Sequence, residues 1–451
     1  MTYIFNDPIH GTIELNKVLV GIIDTPEFQR LRNIKQTGAV SYVYPGATHT
    51  RFEHCVGVCH LAGKVIDKLS EQTLITEVDK LCVQIAGLLH DVGHGPFSHL
   101  FDDCFIQEII TADWSHELQS CRIFDHLLAN YGHIKNSLYE AGIRDVDKIF
   151  VKELINTKDY QSKDDNKWLF KGRPKEKSFL YEIVSNERTG IDVDKFDYLL
   201  RDCYYLGVNC TLDWRRLVQR MKIVHKDGQY RIAIRDKEKD NVYNMFYLRM
   251  HLRRIAYQHP TCSSIELMIS DILKLCNDVV FPNILLSDTI HDMEKYLSLT
   301  DSVIERISNM THCSTNTSHL DEAKELIRRI QTRRLYTLVA ETPPSTEEFK
   351  DKRKVVEEVV ADNDILAEHI HVATLSLNFG KWSNTGDPVE PVLFFDKNGT
   401  VLPEKFYEEF SLFVPKSWCQ KQLRFFCTSE DQNIIDLAKK SCTEWISRQF
   451  A

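Results

Sequence analysis

The residues of this 451-residue chain that could do chemistry crowd into two stretches. The first runs from Ile85 to His99 and holds His90, Asp91, His94 and His99 among Gly93, Gly95 and Pro96. An apolar run over 81–89 reads as a buried helix that delivers His90 and Asp91 at its end. His94 follows four residues after His90, on the same face of any continued turn. The glycines and proline then break the helix and let the backbone close around whatever those side chains hold. Neutral imidazole beside carboxylate suits a divalent cation such as Fe, Mn or Zn. A helix C-terminus, where His favours the dipole, would account for a lone His-Asp pair. It does not account for three His and one Asp within ten residues. The second stretch is Gly190 to Asp202. Asp194, Tyr198 and Asp202 stand at successive i,i+4 positions, so one helix face carries a carboxylate, a phenol and a carboxylate. Lys195 and Asp197 lie beside that face, flanked by Ile191, Val193, Phe196, Leu199 and Leu200.

Other elements must bring these stretches together. Apolar residues from Phe52 to Leu69 keep a helical period over 51–70, with His54 near the helix start. Packed beside a helix over 78–90, it would converge His54 on His90 and Asp91. A further helix opens at 114–117 with Ser115 as N-cap. Upstream, Asp24-Thr-Pro starts a helix over 27–36 with Asp24 as N-cap, and 42–46 reads as a short strand and turn. Later, 144–155 reads as helix and 157–178 as polar loop, with helix resuming at Ser178. A hairpin joins 221–225 to 230–235 across Lys226-Asp-Gly, and helices follow at 239–258 and 263–279. Short strands are expected at 334–340, 368–376, 391–395 and 421–427, before an amphipathic helix over 431–448. The fold class is therefore mostly α: a helical core over 1–285 with a short β-hairpin, then a smaller mixed α/β lobe over 286–451 suited to packing and assembly.

Composition narrows the classes of function. The chain is 43% hydrophobic and 27% charged, with no low-complexity tract or repeat, as in globular proteins. It lacks the run of about 18 apolar residues that spans a membrane, and its N-terminus does not read as a signal peptide. Thirteen cysteines scatter without a CxxC pair, which suggests free thiols in a reducing interior, nucleus or cytoplasm. A net charge of −9 argues against a protein that coats nucleic acid, although 171–175, Arg215-Arg216 and Arg253-Arg254 are locally basic.

The order His54, His90-Asp91, Asp194 resembles the HD phosphohydrolase superfamily. The motifs at 6–11, 24–32, 51–54, 90–99, 177–186, 190–202 and 256–259 together resemble, within it, the animal SAM-and-HD-domain deoxynucleoside triphosphate triphosphohydrolases. The resemblance runs from residue 4 and is densest to about 285; that family's N-terminal SAM domain and a basic import segment are not matched. It implies that His54, His90, Asp91 and Asp194 bind a divalent metal, and that a metal-activated water attacks the α-phosphorus of a dNTP, releasing deoxynucleoside and inorganic triphosphate. By position His116 would be the general acid, Asp102 its orienting carboxylate, and His94 would face the α-phosphate. Arg51, Lys195 and Arg249 would clamp the triphosphate, with Mg accompanying the nucleotide. Gln36 and Asp202 would bond the 3′-hydroxyl, Tyr198 would exclude a 2′-hydroxyl, and Tyr257 and Gln258 would line the same pocket.

The resemblance also implies activation by GTP or dNTPs bound between subunits of a homo-oligomer, a tetramer or dimer, and a role in limiting dNTP pools, with antiviral defence as one consequence. Asp24, Gln29 and Arg32 would read guanine, while Asn6, Val43, Arg216, Arg235, Lys237, Asn241, His259 and Arg333 match other activator positions. The chain departs from the family at Tyr3, Pro260, Thr337 and Thr428, where basic residues are usual, and at Thr37, where leucine is usual. Fewer cations should weaken activator binding or change which nucleotide serves. Two competing readings remain at this stage. One is an HD phosphohydrolase for another nucleotide; the other is a nucleotide-responsive or single-stranded nucleic-acid-binding scaffold with weak hydrolysis.

Overall fold

The computed structural model describes every residue except 1, 111–113, 161–166, 312–316, 350, 362, 381–385, 404–414 and 451. Part of the 157–178 loop thus lies outside the described residues. The architecture is mostly helical with three small sheets.

An antiparallel hairpin, Thr2–Asp7 with Gly11–Asn16, opens the chain. Asn16 then caps an unanticipated helix, Lys17–Ile23, by accepting from the Val18 and Leu19 amides. The helix expected over 27–36 is shorter than its pattern suggests. It is α-helical only over Pro26–Gln29, capped by Thr25 rather than Asp24, and tightens to a 3₁₀ turn over Arg30–Asn33. The cause is tertiary: the Arg30 guanidinium turns inward and donates to the carbonyls of Val92, His94 and Leu299, each at 2.9 Å. No strand forms at 42–46; a 3₁₀ turn over Gly38–Tyr42 leads into a bend instead.

The helical pair that carries the first site residues forms as its pattern predicts. Arg51–Ser70 begins with a Thr50/Glu53 capping box and Glu77–Leu89 with a Thr76/Asp79 box, which satisfy the free amides of each first turn. The second helix stops at Leu89, so His90 is its C-cap and Asp91 lies in the turn beyond. Phe101–Ile106 is a π-helical turn, and His116–Asn130 follows with Ser115 as N-cap. Asp145–Ile155 is helical as expected, whereas the segment expected to resume as helix at Ser178 is 3₁₀ over Lys175–Glu182. There Ser178 Oγ donates to the Tyr230 carbonyl and accepts from its amide.

Val193–Leu206 carries the second dense stretch, capped by Asp192 and closed by Gly207 in the left-handed region (φ 68°). Met221–Lys226 and Gln229–Arg235 pair across the Asp227-Gly228 turn, and Leu393–Phe395 adds a parallel third strand. The helix expected over 239–258 is α over Lys239–Leu252 and π over Arg253–Tyr257; Pro260–Leu275 follows. In the C-terminal part Cys419–Cys427 lies between Thr337–Glu341 and Ile370–Asn378, covered by Gln432–Gln449. The principal core draws on residues from Ile13 to Phe426, and a smaller core lies between the C-terminal sheet and its helices. Among the described residues no helix is long and apolar enough to cross a membrane. The described cysteines are free thiols.

Candidate active site

Three elements meet at one point. His54 comes from the first turn of Arg51–Ser70, His90 and Asp91 from the end of Glu77–Leu89, and Asp194 from the first turn of Val193–Leu206. His54 Nε2 lies 3.3 Å from His90 Nε2, 3.4 Å from Asp91 Oδ2 and 3.2 Å from Asp194 Oδ1. His90 Nε2 lies 3.4 Å from Asp91 Oδ1 and 3.5 Å from Asp194 Oδ1. Donors ringing a first-row cation at about 2.0–2.2 Å stand roughly 3.0–3.6 Å from one another, so the separations fit.

The tautomers point the same way. His54 Nδ1 donates to Asp197 Oδ2 at 2.8 Å and His90 Nδ1 to the Gly87 carbonyl at 2.9 Å. In the neutral form of both rings each Nε2 turns its lone pair to the other, an arrangement that a proton or a cation between them would satisfy. Burial opposes charge on His54, yet Asp194, Asp197 and Asp91 together raise its proton affinity well above that of an ordinary imidazole. A divalent cation answers the same electrostatic demand. The donor set is that of a divalent metal site.

A second histidine cluster adjoins it. His116 Nδ1 donates to Asp102 Oδ2 at 2.9 Å, and the His94 ring stacks on the His116 ring with centroids 3.7 Å apart. His94 Nδ1 lies 3.2 Å from the same oxygen, at ion-pair distance but without hydrogen-bond alignment. Burial disfavours a charged His116, but the Asp102 hydrogen bond and charge outweigh it and raise the imidazole to about 9. His94 moves the other way, because burial and the neighbouring Arg51 and His116 lower it. Asp102 is held well below the usual carboxylate range, the two histidines overcoming its burial. One ring is thus a stored acid and the other a neutral imidazole, a division that marks acid–base pairs. His99, also in the first dense stretch, is exposed at the edge of this cluster.

The expected substrate residues surround the two clusters. Arg51 pairs with Asp91 and donates to Ser98 Oγ at 2.7 Å. Lys195 Nζ contacts Asp192 at 3.0 Å, and Arg249 donates to the Asn378 carbonyl at 2.8 Å. Tyr198 feels the charges of Arg249, Lys195 and Arg253, while burial raises its phenol. Asp202 accepts from Tyr257 Oη on one oxygen and contacts His49 Nε2 at 2.7 Å on the other. The His49 carbonyl in turn accepts from the Gln36 amide at 3.1 Å. Gln36 Oε1, Thr37 Oγ1 and Gln258 Oε1 are buried without a hydrogen-bond partner among the described residues, which suits a polar ligand.

Comparison with known proteins follows the same lines. The HD domain family matches residues 51–146, which include His54, His90, Asp91, Asp102 and His116. The chain is 39% identical to deoxynucleoside triphosphate triphosphohydrolase SAMHD1 of Danio rerio, over 99% of this chain and 74% of that protein. It is 39% identical to the SAMHD1 of Homo sapiens (98% and 73%) and 35% identical to the SAMHD1 homolog of Dictyostelium discoideum (95% and 78%). The chain belongs to the SAMHD1 family.

The residues that the SAMHD1 resemblance assigns to activators fall on several surface segments. Asp24 ends Lys17–Ile23, and Arg32 donates to Gln29 Oε1 at 2.8 Å while stacking on Phe52. Arg216 donates to Glu238 Oε1 at 2.7 Å, Arg235 to Asp236 Oδ1 at 2.7 Å, and Asn241 to the Asp213 carbonyl at 2.8 Å, with Lys237 in the intervening turn. Arg333 (φ 62°) donates to the Tyr42 carbonyl at 3.0 Å, beside Val43. His259 caps Pro260–Leu275, and Asn6 lies on the first strand. Of the SAMHD1 departures, Tyr3 lies on the same strand, Thr337 opens a strand, and Thr428 Oγ1 meets His369 Nδ1 at 3.2 Å.

Residues that sequence reasoning missed include His49, Asp301 and Tyr296. Asp301 accepts from the Phe97 amide at 2.7 Å and the Lys35 amide at 2.9 Å. Tyr296 Oη donates to the Gly93 carbonyl. Both hold the glycine-rich turn from far along the chain. No local spacing announces either one.

Proposed function

We propose that this chain hydrolyses deoxynucleoside triphosphates to deoxynucleoside and inorganic triphosphate, with His54, His90, Asp91 and Asp194 as the metal ligands. The observation that carries the reading is the meeting of His54 Nε2, His90 Nε2 and Asp194 Oδ1 at 3.2–3.5 Å, with one Asp91 oxygen 3.4 Å from each histidine, beside the His116–Asp102 pair. The substrate class comes from the activity named for the relatives. A divalent cation, Fe, Mn or Zn, supplies an acidified water and a counter-charge for phosphate when bound.

The remaining chemistry belongs to the side chains. Hydrolysis breaks the bond between the α-phosphorus and O5′; the water oxygen stays with the triphosphate and O5′ leaves needing a proton. His116, protonated up to about pH 9 and held at Nδ1 by Asp102, donates that proton from Nε2. His94, neutral, contacts the α-phosphate. Arg51, Lys195 and Arg249 exchange their present partners for phosphate oxygens, with Mg on the nucleotide. Gln36 and Asp202 receive the 3′-hydroxyl, Tyr198 closes the space a 2′-hydroxyl would need, and Tyr257 and Gln258 complete the wall. GTP or a dNTP would activate through the surface clusters, in a homo-oligomer of two or four chains in nucleus or cytoplasm.

The test is product analysis of purified protein with dATP and Mn²⁺ or Mg²⁺, with and without GTP. Deoxyadenosine and triphosphate in equal amounts support the reaction, and dependence on GTP supports the activator assignment. Absence of triphosphate under all conditions refutes it.

A further inference from the structure

Asp197 stands behind His54 rather than among the donors, and it is fully buried. It contacts His54 Nδ1 at 2.8 Å, His10 Nε2 at 2.7 Å, and Arg201 Nε and Nη2 at 2.8 and 2.9 Å. Arg201, also fully buried, turns Nη1 to Asp7 Oδ2 at 2.9 Å. The other Asp7 oxygen accepts from the Ile9 and His10 amides, each at 2.9 Å. The turn between the first two strands is therefore joined to the back of His54 through buried charged groups. Gly57 makes the approach possible, since a Cβ there would stand 2.0 Å from Asp197 Oδ1.

We propose that the hairpin turn Asp7–Gly11 is a positioning element for His54, so that order in the hairpin and affinity for the metal rise and fall together. The inference rests on the metal site proposed above. Two physical arguments support it. First, the Asp197 carboxylate is clamped at Oδ1 by His10 and Arg201 and at Oδ2 by His54 and Arg201. Without His10 one side of the clamp loosens, and the carboxylate that sets the His54 ring plane can swing. Loss of the carboxylate itself behind a ligating histidine typically weakens metal binding about 10–100-fold, and loosening it should cost a smaller share of that. Second, among the described residues the hairpin pairs with no third strand, and most of its residues are exposed. A two-stranded ribbon is marginal alone; Ile13 and Leu15 anchor its second strand in the core, and Asp7 and His10 are the buried anchors of its turn. A cation that prefers the ordered arrangement must then suppress opening of the turn by the same factor that order adds to its binding.

Two measurements test this on the full chain. In the wild type, hydrogen–deuterium exchange at the Ile9 and His10 amides should slow when Mn²⁺ is saturating. In Mn²⁺ titrations by calorimetry, His10→Ala should raise Kd severalfold, up to about tenfold, because Arg201 still holds both Asp197 oxygens. His10→Gln, which keeps a donor near Nε2, should recover much of that loss. Unchanged exchange with and without Mn²⁺, or wild-type Mn²⁺ affinity in a folded His10→Ala, would overturn the coupling while leaving the metal site standing. A wild type that binds no Mn²⁺ would remove the metal site and the coupling with it. The exchange measurement uses no variant, so it decides the matter even if His10→Ala does not fold.

Discussion

If Asp102 keeps His116 protonated, replacing that carboxylate should cost activity in a pH-dependent way. The rise of His116 from 6.5 to about 9 corresponds to roughly 3 kcal/mol of preference for the charged ring. Asp102→Asn keeps the shape and removes the charge, so the imidazole should return to about 6.5 or below, because burial then acts unopposed. A group with a raised value holds its proton up to the higher pH and loses it above. At pH 8 the acid form should fall from about nine-tenths of the enzyme to about 3%, roughly a 30-fold loss. At pH 7 the loss is about fourfold, and near pH 5.5 the two enzymes should approach one another. The assay is kcat/KM for dATP hydrolysis across that range at fixed ionic strength and saturating metal. The basic limb should move from about 9 in the wild type to about 6.5 in the variant. A loss of equal size at every pH, or a basic limb left in place, would refute the stored-acid argument.

Three further substitutions probe other parts of the site. Asp194→Ala removes a donor 3.2 Å from His54 Nε2, and both bound metal (by elemental analysis) and turnover should fall to background; normal metal content would exclude Asp194 as a ligand. Tyr198→Ala should leave dNTP hydrolysis measurable but admit ribonucleotides, narrowing the ratio of kcat/KM values at least about tenfold; an unchanged ratio would place the 2′-hydroxyl filter elsewhere. Asp301→Ala strips acceptors from the Phe97 and Lys35 amides beside a turn with φ of 58° and 60° at Phe97 and Ser98. About 2–4 kcal/mol should be lost, read as a lower Tm together with reduced turnover, since Ser98 Oγ accepts from Arg51; wild-type Tm would show that the turn holds itself.

Much of the site was legible because its informative features are local. The helix over 51–70 follows from its apolar period, and the spacing of Asp194, Tyr198 and Asp202 needs only helix geometry, whereas the helix before the His-Asp motif ends at Leu89 and places His94 with His116 instead. What escaped depends on partners far apart in the chain. Arg30 sits in a good helical pattern, yet its bonds to carbonyls at 92, 94 and 299 tighten that helix into a 3₁₀ turn. Asp197 was visible only as a neighbour of the polar face; its role needs His10, 187 positions earlier. One signal could have exposed it. Gly57 lies one turn after His54 inside a strong helix, where glycine costs about 1 kcal/mol, and such a residue marks a close approach.

The site uses the same pairing of carboxylate and imidazole for opposite ends. Asp197 holds a proton on His54 Nδ1 and Asp102 holds one on His116 Nδ1, at 2.8 and 2.9 Å. What differs is the environment of the other nitrogen. His54 Nε2 faces Asp91 and Asp194, so a cation can take the place that a second proton would otherwise fill. His116 has Asp102 as its only hydrogen-bonded carboxylate among the described residues, with neutral His94 stacked on its face, so its second proton remains available to a leaving oxygen. The division of labour between ligand and acid is therefore set by how many carboxylates reach each Nε2. It follows that adding a carboxylate near His116 Nε2 should turn that nitrogen from acid toward ligand, whereas removing Asp194 from His54 should cost the metal itself.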